Sequence, residues 1–214
     1  MRAIEVVEKL RKSILDLDMD AAIDAVHSIV SGGTVTPQQG VDAISDALEV
    51  VGRRFQEGEW FLGELVYAAE ITKASMELIG PLLGEAAKKK LGTIVIGTVA
   101  GDLHDLGKNI FANYATSAGF EVIDLGVDVS AETFASAAER HQPLALGMSC
   151  LLTTCAGGIG AVIEELIRRG IRKQLRVIIG GAALTEEFAG QVGADAFAAD
   201  AVTGTDIVKE WTGA

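Results

Sequence analysis

The sequence predicts an α/β protein in two parts: an N-terminal four-helix bundle over residues 1–90, then a doubly wound five-stranded parallel sheet over residues 91–214. Two observations carry this. The first part shows only the three- and four-residue apolar spacing of helices, and the second alternates short apolar runs with helical stretches. Hydrophobic residues at 49% against 22% charged supply enough apolar material for a core in each part.

In chain order, residues 2–17 repeat Ile4, Val7, Leu10, Ile14 and Leu17 at helical steps. A second helix is predicted over 20–31 on Ala22, Val26, Ile29 and Val30, stopped by Gly32-Gly33. Thr36-Pro37-Gln38-Gln39 opens a third, with Thr36 as cap, Pro37 in the first helical position and Gln39 closing a capping box. Its stripe is Val41, Ile44, Leu48, Val51 and Phe55. A fourth helix spans 61–79, and Pro81 begins a further turn or two to about residue 90. Short links between four helices predict an antiparallel bundle. Residues 88–92, after three consecutive lysines, read as a linker. Strands are then predicted at 93–98, 121–125, 144–149, 176–179 and 196–198. Helices are predicted at 108–118, 131–140, 157–169 and 185–192, with a last one from about 202. A doubly wound sheet binds its ligand at the carboxyl ends of its strands.

Charge and composition exclude several classes. With 18 Lys and Arg against 30 Asp and Glu, the net charge of −12 argues against a binder of nucleic-acid backbone. No apolar run reaches the length of a membrane span. The first twenty residues are charged throughout and lack the apolar segment of a signal peptide. Two cysteines make neither a disulfide framework nor a four-ligand zinc site. The expected location is the cytoplasm.

The first predicted strand runs into Gly97-Thr98-Val99-Ala100-Gly101-Asp102-Leu103-His104-Asp105-Leu106-Gly107-Lys108. This is neither the GxGxxG turn of dinucleotide sites nor a P-loop. It presents one histidine between Asp102 and Asp105 at the place where a ligand would lie. An imidazole oriented by a carboxylate is a general base or a metal ligand. The alternative is a polar loop whose aspartate caps the next helix. His27 and His141 have no carboxylate at ligand spacing and are assigned no chemistry.

Asp102-x-His104-x-x-Gly107, Ser149-x-Leu151 and Gly180-Gly181 fall in order at predicted strand ends. Together they resemble the cobalamin-binding signature. In the first part, Phe55-Gln56-Glu57-Gly58-Glu59-Trp60-Phe61-Leu62-Gly63-Glu64-Leu65 resembles the helical cap of methyltransferase corrinoid proteins, with Gly63 where that pattern has proline. The whole chain is thus similar to the corrinoid proteins of methanol, methylamine and O-demethylase systems, and to the cobalamin module of methionine synthase.

That resemblance implies a Rossmann-like cobalamin-binding domain with a bundle cap. It implies His104 as the lower axial ligand of cobalt, with the cofactor's own base displaced and Asp102 orienting the imidazole. Gly107 and Gly180-Gly181 would make room for the nucleotide tail. Ser149 would hydrogen-bond the displaced base and Leu151 would pack on the tail, with Leu103, Asp105 and Thr153 as further contacts. Phe61, near Trp60 and Leu65, would cover the methyl face of the corrin; the alternative is that Phe61 and Leu65 are bundle core, as Met76 is expected to be. Cys155 stands where methionine synthase has a second serine extending the His–Asp relay; the alternative is a small apolar filler.

The implied cofactor alternates between methylcobalamin and a Co(I) corrinoid. The implied function is a methyl carrier between a substrate-specific methyltransferase and an acceptor methyltransferase using tetrahydrofolate or a thiol, with a reductive activase as a further partner. The chain has no room for a (β/α) barrel, so it is not expected to catalyse alone. A cobalamin-dependent sensor is the alternative from another class, disfavoured by the lack of a basic recognition helix.

Overall fold

The structure is a computed structural model that describes residues 3–31, 35–83 and 91–213. The chain divides into two compact units, Met1–Lys89 and Lys90–Ala214. The predicted turns between Pro81 and residue 90 lie mostly outside the described residues.

The first unit contains α1 (Ala3–Leu15), α2 (Met19–Val30), α3 (Pro37–Gln56) and α4 (Leu62–Ile79). Leu10, Ile14, Val26, Ile44, Val51 and Ile71 form its interior. α1 is shorter than its periodicity predicts. Leu17 adopts a left-handed conformation (φ 57°), and Asp18 then caps α2 by accepting the Ala21 N–H at 2.9 Å. Ile4, placed on the apolar stripe by spacing alone, is exposed, and Val6 takes the buried position instead. The predicted capping box is present: Thr36 Oγ1 accepts from Gln39 N at 3.3 Å, and Gln39 Oε1 accepts from Thr36 N at 2.9 Å.

The second unit is a five-stranded, all-parallel sheet in the order β2-β1-β3-β4-β5. Its strands are β1 (Thr93–Thr98), β2 (Glu121–Asp124), β3 (Ala145–Ser149), β4 (Arg176–Gly180) and β5 (Ala196–Ala198). Between and after them run α5 (Leu106–Ser117), α6 (Ala131–His141), α7 (Gly157–Arg168), α8 (Glu186–Val192) and α9 (Ala201–Glu210). Side chains alternate across the sheet. Ile94, Ile96 and Ile178 pack with Phe111 of α5 and Val208 of α9 on one face. Val95, Leu146, Met148 and Val177 pack with Phe134 of α6 and Ile159 and Leu166 of α7 on the other. β1 pairs with β2 on one side and β3 on the other, so the chain reverses direction across the sheet beside β1. A crevice opens at the carboxyl ends of the strands at such a point.

Among the described residues, no helix is long and apolar enough to cross a membrane.

Candidate functional site

β1 does not hand over directly to α5. Residues 99–105 form an intervening loop that projects past the strand ends. Asp102 is completely buried in it, while the His104 side chain is 53% exposed. His104 Nδ1 lies 2.7 Å from Asp102 Oδ1, which also accepts the His104 backbone N–H at 3.0 Å. Asp102 Oδ2 accepts two further N–H groups, from Leu151 at 2.6 Å and Leu152 at 3.2 Å. Burial by itself would raise the Asp102 pKa. The His104 and Leu151 backbone donors, the His104 ring and the Leu152 donor outweigh it and hold the carboxyl at about 2. An ionised Asp102 accepts the proton on Nδ1, which leaves the Nε2 lone pair outward. Nε2 has no partner among the described residues.

The helix-cap alternative for these aspartates fails. Asp105 occupies the N-cap position of α5, but its side chain makes no cap hydrogen bond, and both Asp102 oxygens are engaged elsewhere.

A cleft of about 140 Å³ opens on the α5 and α9 side of the sheet. Of the residues singled out by sequence, Gly107, Ser149, Gly180 and Gly181 line it. Leu103, Asp105, Leu151 and Thr153 do not. Leu151 serves through its backbone N–H to Asp102, with its side chain exposed. Leu103, Val127 and Leu152 on the loops at the carboxyl edge, and Leu106 at the start of α5, are likewise exposed apolar side chains. At Gly107 a Cβ would meet nothing within 4 Å, so the space against the first turn of α5 is open. At Gly181 the reason for glycine is internal. Its φ is +127°, and a Cβ would stand 2.1 Å from the Cys150 carbonyl oxygen. That glycine permits the β4 turn to close against the end of β3, and a Cβ at Gly180 would come 3.1 Å from the Ala198 carbonyl oxygen.

Three features of the site were not singled out from sequence. Gly147 sits in register between Ile96 and Ile178 and bares the sheet surface in the cleft. Lys108, almost fully buried in the cleft wall, donates to Asp124 Oδ2 and, at 2.7 Å, to Asn109 Oδ1. The Leu151 and Leu152 N–H groups fix Asp102. Only the Lys108 position had a visible signal, being the charged residue next to Gly107 in the motif.

Among the described residues, no hydrogen bond joins Cys155 Sγ to the His–Asp pair. Its Sγ neighbours Thr154 Oγ1 at 3.8 Å, and it packs at the margin of the α6–α7 core. Its position at that core margin fits a small apolar filler. The thiol in the field of Asp102 is Cys150, fully buried and donating to the Leu152 carbonyl at 3.2 Å. Burial, with the Asp102 charge, pushes Cys150 up to about 11. Thiolate is the reactive species. Iodoacetamide at neutral pH should therefore label Cys155 alone in the native protein and both cysteines after unfolding. Mass spectrometry of the peptides reads this, and equal native labelling would contradict the burial of Cys150.

In the first unit, Leu65 is buried core, whereas Phe61 is 74% exposed. The core alternative holds for Leu65 and fails for Phe61. Phe61 is the N-cap of α4, with its N–H donated to Glu64 Oε2 at 3.0 Å. The Arg54 guanidinium lies over the Trp60 ring at 5.2 Å from its centroid.

Among the described residues, no group of three or more His, Cys, Asp or Glu could hold a metal ion. A single outward imidazole is a sufficient protein ligand only for a metal that brings its own equatorial ligands, as a macrocycle does. Residues 92–207 match the family model of the B12 binding domain, and residues 6–79 match a second B12 binding domain model. The chain belongs to the corrinoid proteins of methyltransferase systems. It is 34% identical over 209 residues to trimethylamine corrinoid protein 1 of Methanosarcina acetivorans, covering 96% of this chain and 95% of that one. It is 35% identical over 208 residues to dimethylamine corrinoid protein 1 of the same organism, covering 96% and 97%. Among solved structures, the methanol:cobalamin methyltransferase complex MtaBC from Methanosarcina barkeri matches with a TM-score of 0.84 at 27% identity, over 98% of this chain and 80% of that one.

The cofactor of this corrinoid protein is cobalamin, and the residues present fit it. Among the described residues, Nε2 of His104 and the Ser149 hydroxyl have no partner, exposed apolar side chains stand on and beside the loop, and the cleft has a bare sheet floor. Gly147→Leu should fill that floor. We expect cobalamin binding to weaken at least ~100-fold, because excluding a planar group from a buried slot costs several kcal/mol. Binding of cobinamide, which has no nucleotide tail, should change little. Titration by Trp fluorescence measures both.

Proposed function

We propose that this corrinoid protein is a methyl carrier that holds cobalamin with the cofactor's own base displaced and His104 Nε2 as lower ligand to cobalt. The observation that carries this is the Asp102–His104 pair, in which a buried, ionised carboxylate turns Nε2 outward. Bound cobalamin supplies the metal that accepts and releases the methyl group. The protein's own residues set the environment. Asp102, held by the Leu151 and Leu152 N–H groups, fixes the Nδ1–H tautomer and balances the positive charge when Nε2 takes a proton. Gly107, Ser149, Gly180 and Gly181 line the cleft that receives the nucleotide tail, Ser149 donating to the displaced base. The exposed ring of Phe61 is available to shield the upper face of the corrin.

The methyl donor proposed is a methylamine, because the relatives that match nearly full length are named for trimethylamine and dimethylamine. Loading by a methylamine-specific methyltransferase, unloading by an acceptor methyltransferase using a thiol or tetrahydrofolate, and repair by a reductive activase complete the proposal. The test is reconstitution with cobalamin, reduction, and addition of trimethylamine, dimethylamine, monomethylamine or methanol, each with its methyltransferase. The visible spectrum should report methylation with one of the amines only when its enzyme is present. Failure with all four, while the same enzymes methylate a bona fide corrinoid protein, would end the carrier reading.

A further inference from the structure

The cleft is furnished unequally along its length. Ile96, Gly147 and Ile178, in register on three adjacent strands, lie two residues deeper than Ser149 and Gly180 at the strand ends. With Phe111 from α5 and Ala198 from β5, this deeper surface carries hydrocarbon side chains and none that donates or accepts. The polar side chains lie at the carboxyl edge: Ser149, Lys108 in the first turn of α5, and Asp200 before α9. Two of these three are already engaged. Lys108 is bound by Asp124 and Asn109, and Asp200 accepts the N–H and hydroxyl of Thr203 at 2.7 and 2.9 Å. Ser149 alone offers a hydroxyl without a partner among the described residues. The Tyr114 hydroxyl, also buried without a partner there, lies outside the cleft lining.

We propose that the cleft selects the lower base of the corrinoid, accepting benzimidazole-type bases and discriminating against purines. This rests on the reading that the displaced nucleotide tail enters the cleft. A base whose metal-binding nitrogen stays at the edge, beside Ser149, directs its second ring onto the deeper surface. In a benzimidazole that ring is wholly hydrocarbon and matches Ile96 and Ile178. In adenine it carries two ring nitrogens and an exocyclic amine. These would leave water for a surface whose side chains offer no hydrogen bond, and unpaired buried polar groups are strongly disfavoured.

The test is a competition in the fully reduced Co(I) state, where the base is off the metal in the free corrinoids as well, so their differing affinities for cobalt cancel. The apo full-length protein is mixed with equal excesses of a benzimidazolyl corrinoid and an adeninyl corrinoid under titanium(III) citrate. It is then desalted, and the retained corrinoids are extracted and separated. At least fivefold enrichment of the benzimidazolyl form is expected. A smaller enrichment, or one favouring the adeninyl form, overturns the proposal. A parallel competition with cobinamide separates this from failure of the underlying reading. If cobinamide is retained as well as the benzimidazolyl form, the tail does not occupy the cleft and the reading itself falls. If cobinamide is excluded while the two complete corrinoids are retained alike, only the selectivity falls.

Discussion

His104→Ala is expected to abolish the nitrogen splitting in the electron paramagnetic resonance spectrum of the protein-bound Co(II) corrinoid. Nδ1 is committed to Asp102, and no other imidazole stands in this loop, so removing the ring leaves only water below the metal. Corrinoid affinity should fall at least ~10-fold, the lower end of what weakening a metal ligand's support costs. Binding should survive, because the cleft and the apolar loop side chains are untouched. Retention of the splitting in the variant would mean that the corrinoid's own base remains on cobalt. Asp102→Asn makes a useful companion. Its amide would turn an N–H group toward the Leu151 and Leu152 donors or toward the imidazole, so the tautomer and the spectrum should both be disturbed while the histidine remains.

Gly181→Ala should be the most destabilising single methyl that can be added near the site. The backbone there has φ +127°, and the new Cβ would lie 2.1 Å from the Cys150 carbonyl oxygen and 2.8 Å from its carbon. Relief requires moving Cys150, which directly follows β3 and is tied to the end of β4 through its N–H to the Gly180 carbonyl at 3.0 Å. Overpacking together with a left-handed backbone costs about 3 kcal/mol or more. The melting temperature should drop by roughly 10 °C, given the usual ratio for domains near this size. The same displacement pulls on the Leu151 and Leu152 N–H groups, so corrinoid affinity should fall as well. Gly180→Ala is the control: its Cβ would meet the Ala198 carbonyl oxygen at 3.1 Å, so its effect should be clearly smaller. Circular dichroism melts of the three proteins decide it, and equal melting temperatures would show that the turn relaxes freely.

Periodicity located the elements to within a few residues, and its misses have local causes. The first helix stops early because Leu17 turns left-handed and Asp18 starts a new cap, a competition that apolar spacing does not encode. α5 begins two residues before its predicted start, with Leu106 exposed in its first position and so outside any buried stripe. Of the motif residues, His104 and Asp102 were legible because a short Asp-x-His spacing is a local relation, satisfied within one loop. Leu151 was legible as a position but not in its role, since its backbone rather than its side chain makes the contact.

By itself, then, the sequence determined a helical unit followed by a parallel α/β unit, the capping box that starts α3, and the His–Asp pair at the end of β1. Each of these depends on residues within one or two turns of one another. The tertiary structure alone decided the strand order that puts β3 beside β1, and so brings the Leu151 and Leu152 N–H groups onto a carboxylate some fifty positions earlier in the chain. It also decided that Gly147 opens the cleft floor while Gly181 relieves a backbone contact, and that Cys150 rather than Cys155 neighbours Asp102. Glycine and cysteine carry no periodic signal of their own. What they do is set by which segment packs against them, and that is a property of the assembled sheet.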